Sequence, residues 1–358
     1  MRIHHFYPRT QNIGDHFVAL GIASMIRSLV PDATFEHFDV NSRGADQKDY
    51  GLTEAAVERA NNEADLVIVG GSNLYEGSFG WPWGVHLDLD ALPKLRVPLF
   101  LLGLGTGSSF ASPLHQASPR ARAEIIPLNK HATLSGVRDV TTLDWLLRLG
   151  VTKAKLMGDP AAFIFNRTVQ TNTSGQILIA MPPRRIWTSK RQFWKVRREG
   201  RRIALAMVRL TRSLLENGAD VAVVCNDPLD LPVWEKLFDG SLPRQLICPQ
   251  TPAEYFQLLR DSRAVISGRL HTAVAALSLG IPFLLIDLDA RTHGFLQTYQ
   301  LEDCSISPSL AASALVLTTR CTELLNEGAP VWQSRLEKRD QLYDSAMGYL
   351  RTALERVS

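Results

Sequence analysis

Short apolar runs alternate with stretches of helical periodicity along almost the whole chain, and a polar segment splits that alternation into two rounds of similar size. A strand covered on both faces reads as a continuous apolar run, and the crossover helix beside it reads with a 3.6-residue period. Such alternation implies βα units and mostly parallel sheets. In the first round, strands are expected at residues 2–7, 34–40, 65–70, 98–103, 132–135 and 154–157, with helices at 15–29, 119–130 and 139–149. Residues 166–175 are polar and without period, and read as a linker. In the second round, strands are expected at 176–181, 220–225, 245–248, 264–267 and 282–287, with helices at 194–217, 252–261, 270–279 and 311–326.

The 358 residues fit two domains at roughly 150 residues each. We expect an N-terminal Rossmann-like domain over 1–165 and a C-terminal one, binding the donor, over 176–330. Residues 331–358 read as an amphipathic helix able to pack back on the first domain. Two doubly wound Rossmann-like α/β domains facing a cleft are the GT-B-like layout, and in open α/β sheets ligands sit beyond the carboxyl ends of the strands.

Composition narrows the setting rather than the function. Apolar residues at 45% and charged residues at 21% are those of an ordinary globular chain, and a net charge of +3 excludes no partner class. The four cysteines show no CxxC spacing and read as small buried residues in a reducing compartment. The opening Met-Arg-Ile-His-His-Phe-Tyr-Pro lacks the basic patch and apolar stretch of an export signal, and no run approaches the roughly 18 apolar residues of a bilayer span. The expectation is a cytoplasmic protein. No His/Cys/Asp group has metal-ligand spacing along the chain, so no metal and no cofactor is expected.

Five motifs fall at strand ends. Asn12-Ile-Gly-Asp15 follows the first strand, with Gly14 for a turn and Asp15 as N-cap; a plain capped helix explains it equally well. Asp65-Leu-Val-Ile-Val-Gly-Gly-Ser72 runs a buried strand into Gly70, Gly71 and Ser72, whose amides can meet a phosphate or carboxylate. The following loop holds Tyr75, Phe79, Trp81 and Trp83, suited either to stacking on a sugar or to packing on one another. Gly103-Leu-Gly-Thr-Gly-Ser-Ser109 looks like a dinucleotide fingerprint, but prolines at 113 and 119 interrupt the helix such a site needs. Ser135-Gly-Val-Arg-Asp139 places Arg138 between strand and helix, followed by Gly158-Asp159-Pro160; the guanidinium can grip a carboxylate or phosphate, or pair with Asp139 or Asp159. Sharpest is Ile266-Ser-Gly-Arg-Leu-His271. Here Arg269 and His271 open an apolar, Ala-rich helix ending at Gly280-Ile-Pro282, and join an anion-binding helix N-terminus to a proton-exchanging imidazole. A histidine that merely caps a buried helix is the plainer reading of the same residues.

In this order the motifs resemble the polysaccharide pyruvyl transferase family, over roughly residues 5–300. Its pattern runs N-x-G-D, D-x-x-x-x-GG-G, S-x-R-D, G-D-P and R-L-H followed by G-x-P. This chain departs from it at Ser72, where the family has its third glycine, and at Arg291, where many members carry lysine. The resemblance implies phosphoenolpyruvate as donor, with His271, Arg269 and Arg138 catalytic and Asn12, Asp15, Gly70, Gly71, Ser72 and Arg291 binding substrate. The acceptor implied is a glycan or lipid-linked saccharide. A nucleotide-sugar glycosyltransferase and a non-catalytic glycan- or anion-binding homologue remain the alternatives. Residues 184–212 carry eleven arginines and lysines against Glu199, with Trp187, Phe193 and Trp194 interleaved. The stretch suits the inner membrane surface or a solvated helix face; no recognised motif supports nucleic acid.

Overall fold

The structure is a computed structural model that describes residues 1–41, 50–75, 84–106, 119–165, 174–184, 194–239 and 246–357. Two compact units divide the chain. The first comprises Met1–Thr10, Asp15–Ile164 and Asp340–Ser358, and the second Gln11–Gly14 and Phe165–Arg339. The linker expected at 166–175 lies outside the described residues up to 173.

The elements, in chain order, begin with β1 (Arg2–Tyr7), α1 (Ile13–Arg27), β2 (Thr34–Asp39), α2 (Glu54–Glu63), β3 (Leu66–Gly70), β4 (Leu99–Leu104), α3 (Pro119–His131), β5 (Leu134–Val137), α4 (Val140–Arg148) and β6 (Lys155–Leu156). They continue with β7 (Gln176–Ala180), α5 (Trp194–Glu216), β8 (Val221–Val224), α6 (Leu231–Phe238), β9 (Leu246–Ile247), α7 (Pro252–Arg260), β10 (Ser262–Ser267), α8 (Leu270–Leu279) and β11 (Phe283–Ile286). The last are α9 (Ala290–Tyr299), β12 (Ser305–Ile306), α10 (Pro308–Ala311), α11 (Ala314–Asn326) and α12 (Ala329–Leu354).

Each unit is built on one parallel six-stranded sheet, ordered β2-β1-β3-β4-β5-β6 in the first and β12-β11-β10-β7-β8-β9 in the second. Both are doubly wound orders, with a switch in winding direction between β1 and β3 and between β7 and β10. Helices cover both faces of the central strands: every residue of β3, β4, β7 and β8 is buried, and all but Gln176 are apolar. The sequence missed α2, α6, α9, α10 and β12. Of α2's ten residues only Val57 and Ala60 are buried, so its apolar stripe is too thin to read, although Thr53 caps it through the Ala56 amide at 3.3 Å. All four cysteines are free thiols; burial pushes Cys225 up to about 12 and Cys321 to about 11.

A histidine-rich layer lies on one face of β1. The His5 ring stands 5.0 Å from Tyr7 and 5.3 Å from His37. Desolvation, aided by His37, lowers its pKa to about 3. A histidine whose pKa falls on folding stabilises the native state above 6.5, its unfolded value, and that stability is lost as the pH drops towards the folded value. His5 alone is expected to cost roughly 2 kcal/mol between pH 6.5 and about pH 4.5. Denaturant unfolding across that range should lose about one proton of pH dependence in His5→Phe; an unchanged slope would place the titration elsewhere.

Candidate functional site

At the winding switch of the second sheet, the turns after β7 and β10 come together. Beyond β10 the chain folds over the end of β7: the Gly268 amide donates to Ala180 O at 2.8 Å and Arg269 Nε donates to Met181 O at 3.1 Å. Gly268 is glycine because a side chain there would run into Pro182 at 2.7 Å. Ser267 Oγ accepts from the Arg269 amide at 2.9 Å and fixes the turn into α8, with Arg269 at its N-cap.

The Arg269 guanidinium is bound to Asp230, a carboxylate 2% exposed that also accepts from the Arg184 amide at 3.1 Å and has Arg184 Nε 3.8 Å away. Taken together, two guanidiniums around one carboxylate keep a net positive charge, and both are partly exposed. Asp230 stands out little in the sequence. Its only signal was Asp227-Pro-Leu-Asp230, a short acidic turn after a buried strand.

His271 occupies the second position of α8, which is buried from Thr272 to Leu279 and so cannot shift easily. Behind it, Tyr255, Thr272 and Asn226 close a buried ring of hydrogen bonds: Tyr255 Oη meets Thr272 Oγ1 at 2.6 Å and donates to Asn226 Oδ1 at 3.1 Å, while Asn226 Nδ2 donates to Thr272 Oγ1 at 3.1 Å. The Asn226 carbonyl also accepts from the Ile13 amide at 3.3 Å. Gly14 is therefore brought to His271. A Cβ on Gly14 would collide with the imidazole and come within 2.7 Å of His271 Cβ and Cγ. The glycine of the first motif leaves the place of its side chain to the histidine of the last. Gly14→Ala is expected to cost about 1–3 kcal/mol and to displace the ring; unaltered stability in a thermal melt would contradict that packing.

The corresponding switch of the first sheet holds Gly70, Gly71 and Ser72. Gly71 has φ 88° and Ser72 φ 63°, so two successive residues take the left-handed conformation; glycine adopts it freely and serine at a modest cost. The Gly71 amide is committed to Leu102 O at 3.0 Å, and Ser72 O accepts from the Gly105 amide at 3.0 Å. The expected cradle of three amides is thereby reduced, because the sheet itself uses the Gly71 amide.

Arg138 is 3% exposed. Its guanidinium donates to Asp139 at 3.3 Å and to Asn73 Oδ1, and lies 3.9 Å from Asp159. Gly105 leaves room for it, since a Cβ there would meet the guanidinium carbon at 2.7 Å. Burial pushes the Asp139 and Asp159 carboxyls above the ordinary range, against the pull of Arg138.

The remaining expected site residues fall as follows. Asn12, rather than Asp15, stands at the start of α1, with its Oδ1 accepting from the Gly14 amide at 3.3 Å; the helix begins two residues before Asp15, so the cap moves with it. Asp15 accepts instead from Thr10 Oγ1 at 2.6 Å. Arg291 opens α9 and forks onto Asp289, its own N-cap, with Nε 3.0 Å from Oδ2. Tyr75 is buried and donates to Asn129 at 3.0 Å, which makes it a core residue, whereas Phe79, Trp81, Trp83 and residues 107–109 of the third motif lie outside the described residues. So do residues 185–193 of the basic stretch. Within α5, Arg197, Arg198, Arg201, Arg202 and Arg209 are exposed. No helix among the described residues is long and apolar enough to cross a membrane.

Residues 12–289 match the family model described as polysaccharide pyruvyl transferase. No curated protein matches the chain significantly. Among solved structures, the chain is similar to a UDP co-structure of MnaA from S. aureus, with 15% identity over 98% of this chain and 94% of that one and a TM-score of 0.59. It is also similar to the UDP-GlcNAc 2-epimerase of Neisseria meningitidis bound to UDP-GlcNAc, with 13% identity, 99% and 100% covered and a TM-score of 0.58. A putative UDP-N-acetylglucosamine 2-epimerase from Listeria monocytogenes gives 16% identity, 99% and 95% covered and a TM-score of 0.57. At these identities the likeness concerns the fold, the two-domain α/β class of GT-B type.

Proposed function

The chain belongs to the polysaccharide pyruvyl transferase family, and we propose from that premise that it transfers a pyruvyl group from phosphoenolpyruvate to two hydroxyls of a saccharide. The observation that carries this reading is the grouping of Arg269, Arg184 and His271 at the second sheet's winding switch. Phosphoenolpyruvate is a small dianion or trianion, and guanidiniums at a helix N-terminus suit its phosphate and carboxylate. His271 protonates the methylene carbon, leaving a cation at C2 that a sugar hydroxyl attacks. The C–O bond to phosphate then breaks, with Arg269 stabilising the departing anion. A second hydroxyl closes the ketal. Of the two hydroxyl protons, one ends in the new methyl group and the other on phosphate, so the reaction balances without redox change. Within the first unit, Arg138 is given a positioning role through Asn73, which follows the Gly70–Ser72 turn.

Thermal melts and phosphate release test the donor. Phosphoenolpyruvate should raise the melting temperature, and phosphate should appear when a saccharide acceptor is added. Stabilisation by UDP-GlcNAc alone would favour a nucleotide-sugar enzyme, and donor binding without phosphate release a non-catalytic homologue.

We propose further that the exposed arginines of α5 hold the protein at an anionic lipid surface, where a lipid-linked acceptor is presented. Each such cation contributes about 1 kcal/mol near the surface, screened by salt. The protein should sediment with phosphatidylserine liposomes at low salt, and Arg198→Glu/Arg201→Glu/Arg202→Glu should stay in the supernatant; equal recovery of both would remove the surface.

A further inference from the structure

We propose that His293, held by Asp287, is a second proton acceptor of the reaction: the base that takes the proton of the saccharide hydroxyl closing the ketal. This role rests on pyruvyl transfer being the reaction, which draws a proton from each of two hydroxyls. His271 gives its own proton to the methylene carbon and can recover one from the first hydroxyl. It is then charged and cannot take the second.

The His293 ring is oriented by groups on two elements. Asp287 is the first residue after β11, and its amide donates to Ile306 O on β12 at 3.0 Å, which ties it to the sheet. One oxygen of its carboxylate accepts from Thr292 Oγ1 at 2.7 Å, and the other lies 3.0 Å from His293 Nδ1. The backbone of His293 is fixed by the first turn of α9, its amide donating to Asp289 O at 3.0 Å. A carboxylate on Nδ1 keeps the proton on that nitrogen and leaves Nε2 with its lone pair, the form a base needs. The side chain is 53% exposed, so the ring can meet a substrate.

The pair stands at the same edge of the sheet as Arg269 and His271. β10 and β11 are hydrogen-bonded neighbours with Ser267 opposite Leu285, so Arg269 and Asp287 each come two residues beyond that pair, past the carboxyl ends of the strands. β10, β11 and β12 follow one another across the sheet in one direction. Right-handed crossovers then put α8 and α9 on the same face, side by side. His271 is the second residue of α8 and His293 the fourth of α9, so both imidazoles belong to the first turns of neighbouring helices. Such helices lie about 8–10 Å apart, which lets two imidazoles approach one sugar ring from different sides. Once the C–O bond to phosphate has broken, the second hydroxyl attacks C2 and His293 Nε2 takes its proton. The proton passes to the phosphate, which leaves as hydrogen phosphate, and nothing is oxidised or reduced.

The test is steady-state kinetics of ketal formation by the full chain, from phosphoenolpyruvate and a saccharide acceptor, in the wild type, His293→Ala and Asp287→Asn. In His293→Ala, kcat should fall about 10²–10⁴-fold while KM for phosphoenolpyruvate stays within about twofold. Added imidazole should restore part of that loss, since the vacated place is exposed. In Asp287→Asn the amide can donate to Nδ1 and leave the proton on Nε2, so kcat should fall there too and imidazole should not restore it. Both variants keep the capping box of Asp289 and Thr292 and should melt near the wild-type temperature. Wild-type kcat in His293→Ala, or a loss that imidazole leaves unchanged, would overturn the role of His293 while pyruvyl transfer stands. A wild type that makes no ketal would remove the reaction itself, and the part of His293 with it.

Discussion

Replacing His271 with alanine is expected to lower turnover of phosphoenolpyruvate by about 10²–10⁴-fold, the usual weight of a single general acid/base. The fold should survive, because the buried ring of Tyr255, Thr272 and Asn226 holds the start of α8 without help from the imidazole. A loss of activity alone does not separate chemistry from packing, and Gly14 supplies the second arm. The imidazole occupies the space into which a side chain at Gly14 would point. Gly14→Ala should therefore destabilise the wild type but be tolerated in His271→Ala, where the ring is gone. This coupling should be non-additive by 0.5–3 kcal/mol, as for residues in contact. Wild-type-like turnover in His271→Ala would remove it from the mechanism, and strict additivity would contradict the contact.

Arg138→Ala is expected to destabilise the first unit by about 3–5 kcal/mol. The reason is what stays behind: Asp139 and Asp159, each 2% exposed, lose the cation lying between them. Each carboxylate also caps a helix, Asp139 through the Thr142 amide at 2.7 Å and Asp159 through the Ala161 amide at 3.0 Å. The penalty should depend on pH. Both carboxyls already sit above the ordinary range through burial, and without Arg138 they rise further. A carboxyl whose pKa is raised on folding makes the native state bind more protons, so stability falls as pH rises through that window. The deficit of Arg138→Ala should be largest near neutrality and shrink towards about pH 5. A deficit constant with pH would show that the carboxylates are not its source.

The alternation of strands and helices was legible because parallel strands buried on both faces leave continuous apolar runs, as in Leu66–Gly70 and Leu99–Leu104. Helices with thin or interrupted stripes were not: α9 carries Gly294 and mixed polarity, and only its capping box from Asp289 to Thr292 announces it. At the site, the Arg269–His271 motif was readable because a strand end, a cation and an imidazole fall within six residues of chain. Its supports were not readable. Asp230, Asn226 and Gly14 reach that motif only through the fold, and a linear reading takes Gly14 for a turn residue when it is one of close approach. The same holds for Gly105, whose missing side chain makes room for Arg138. Asp15 reads as a cap in the sequence because helix starts are legible only to within a residue or two, and Asn12 serves that purpose in the fold.

The central claim is that a cationic group built on Arg269, with His271 beside it, turns phosphoenolpyruvate over. The most direct measurement is mass spectrometry of a lipid-linked saccharide acceptor incubated with phosphoenolpyruvate and either the wild type or Arg269→Ala. The account predicts a product carrying one added pyruvyl group with the wild type, and loss of nearly all of it with the variant. An acceptor left unmodified by the wild type, or pyruvylated equally by both proteins, would contradict it.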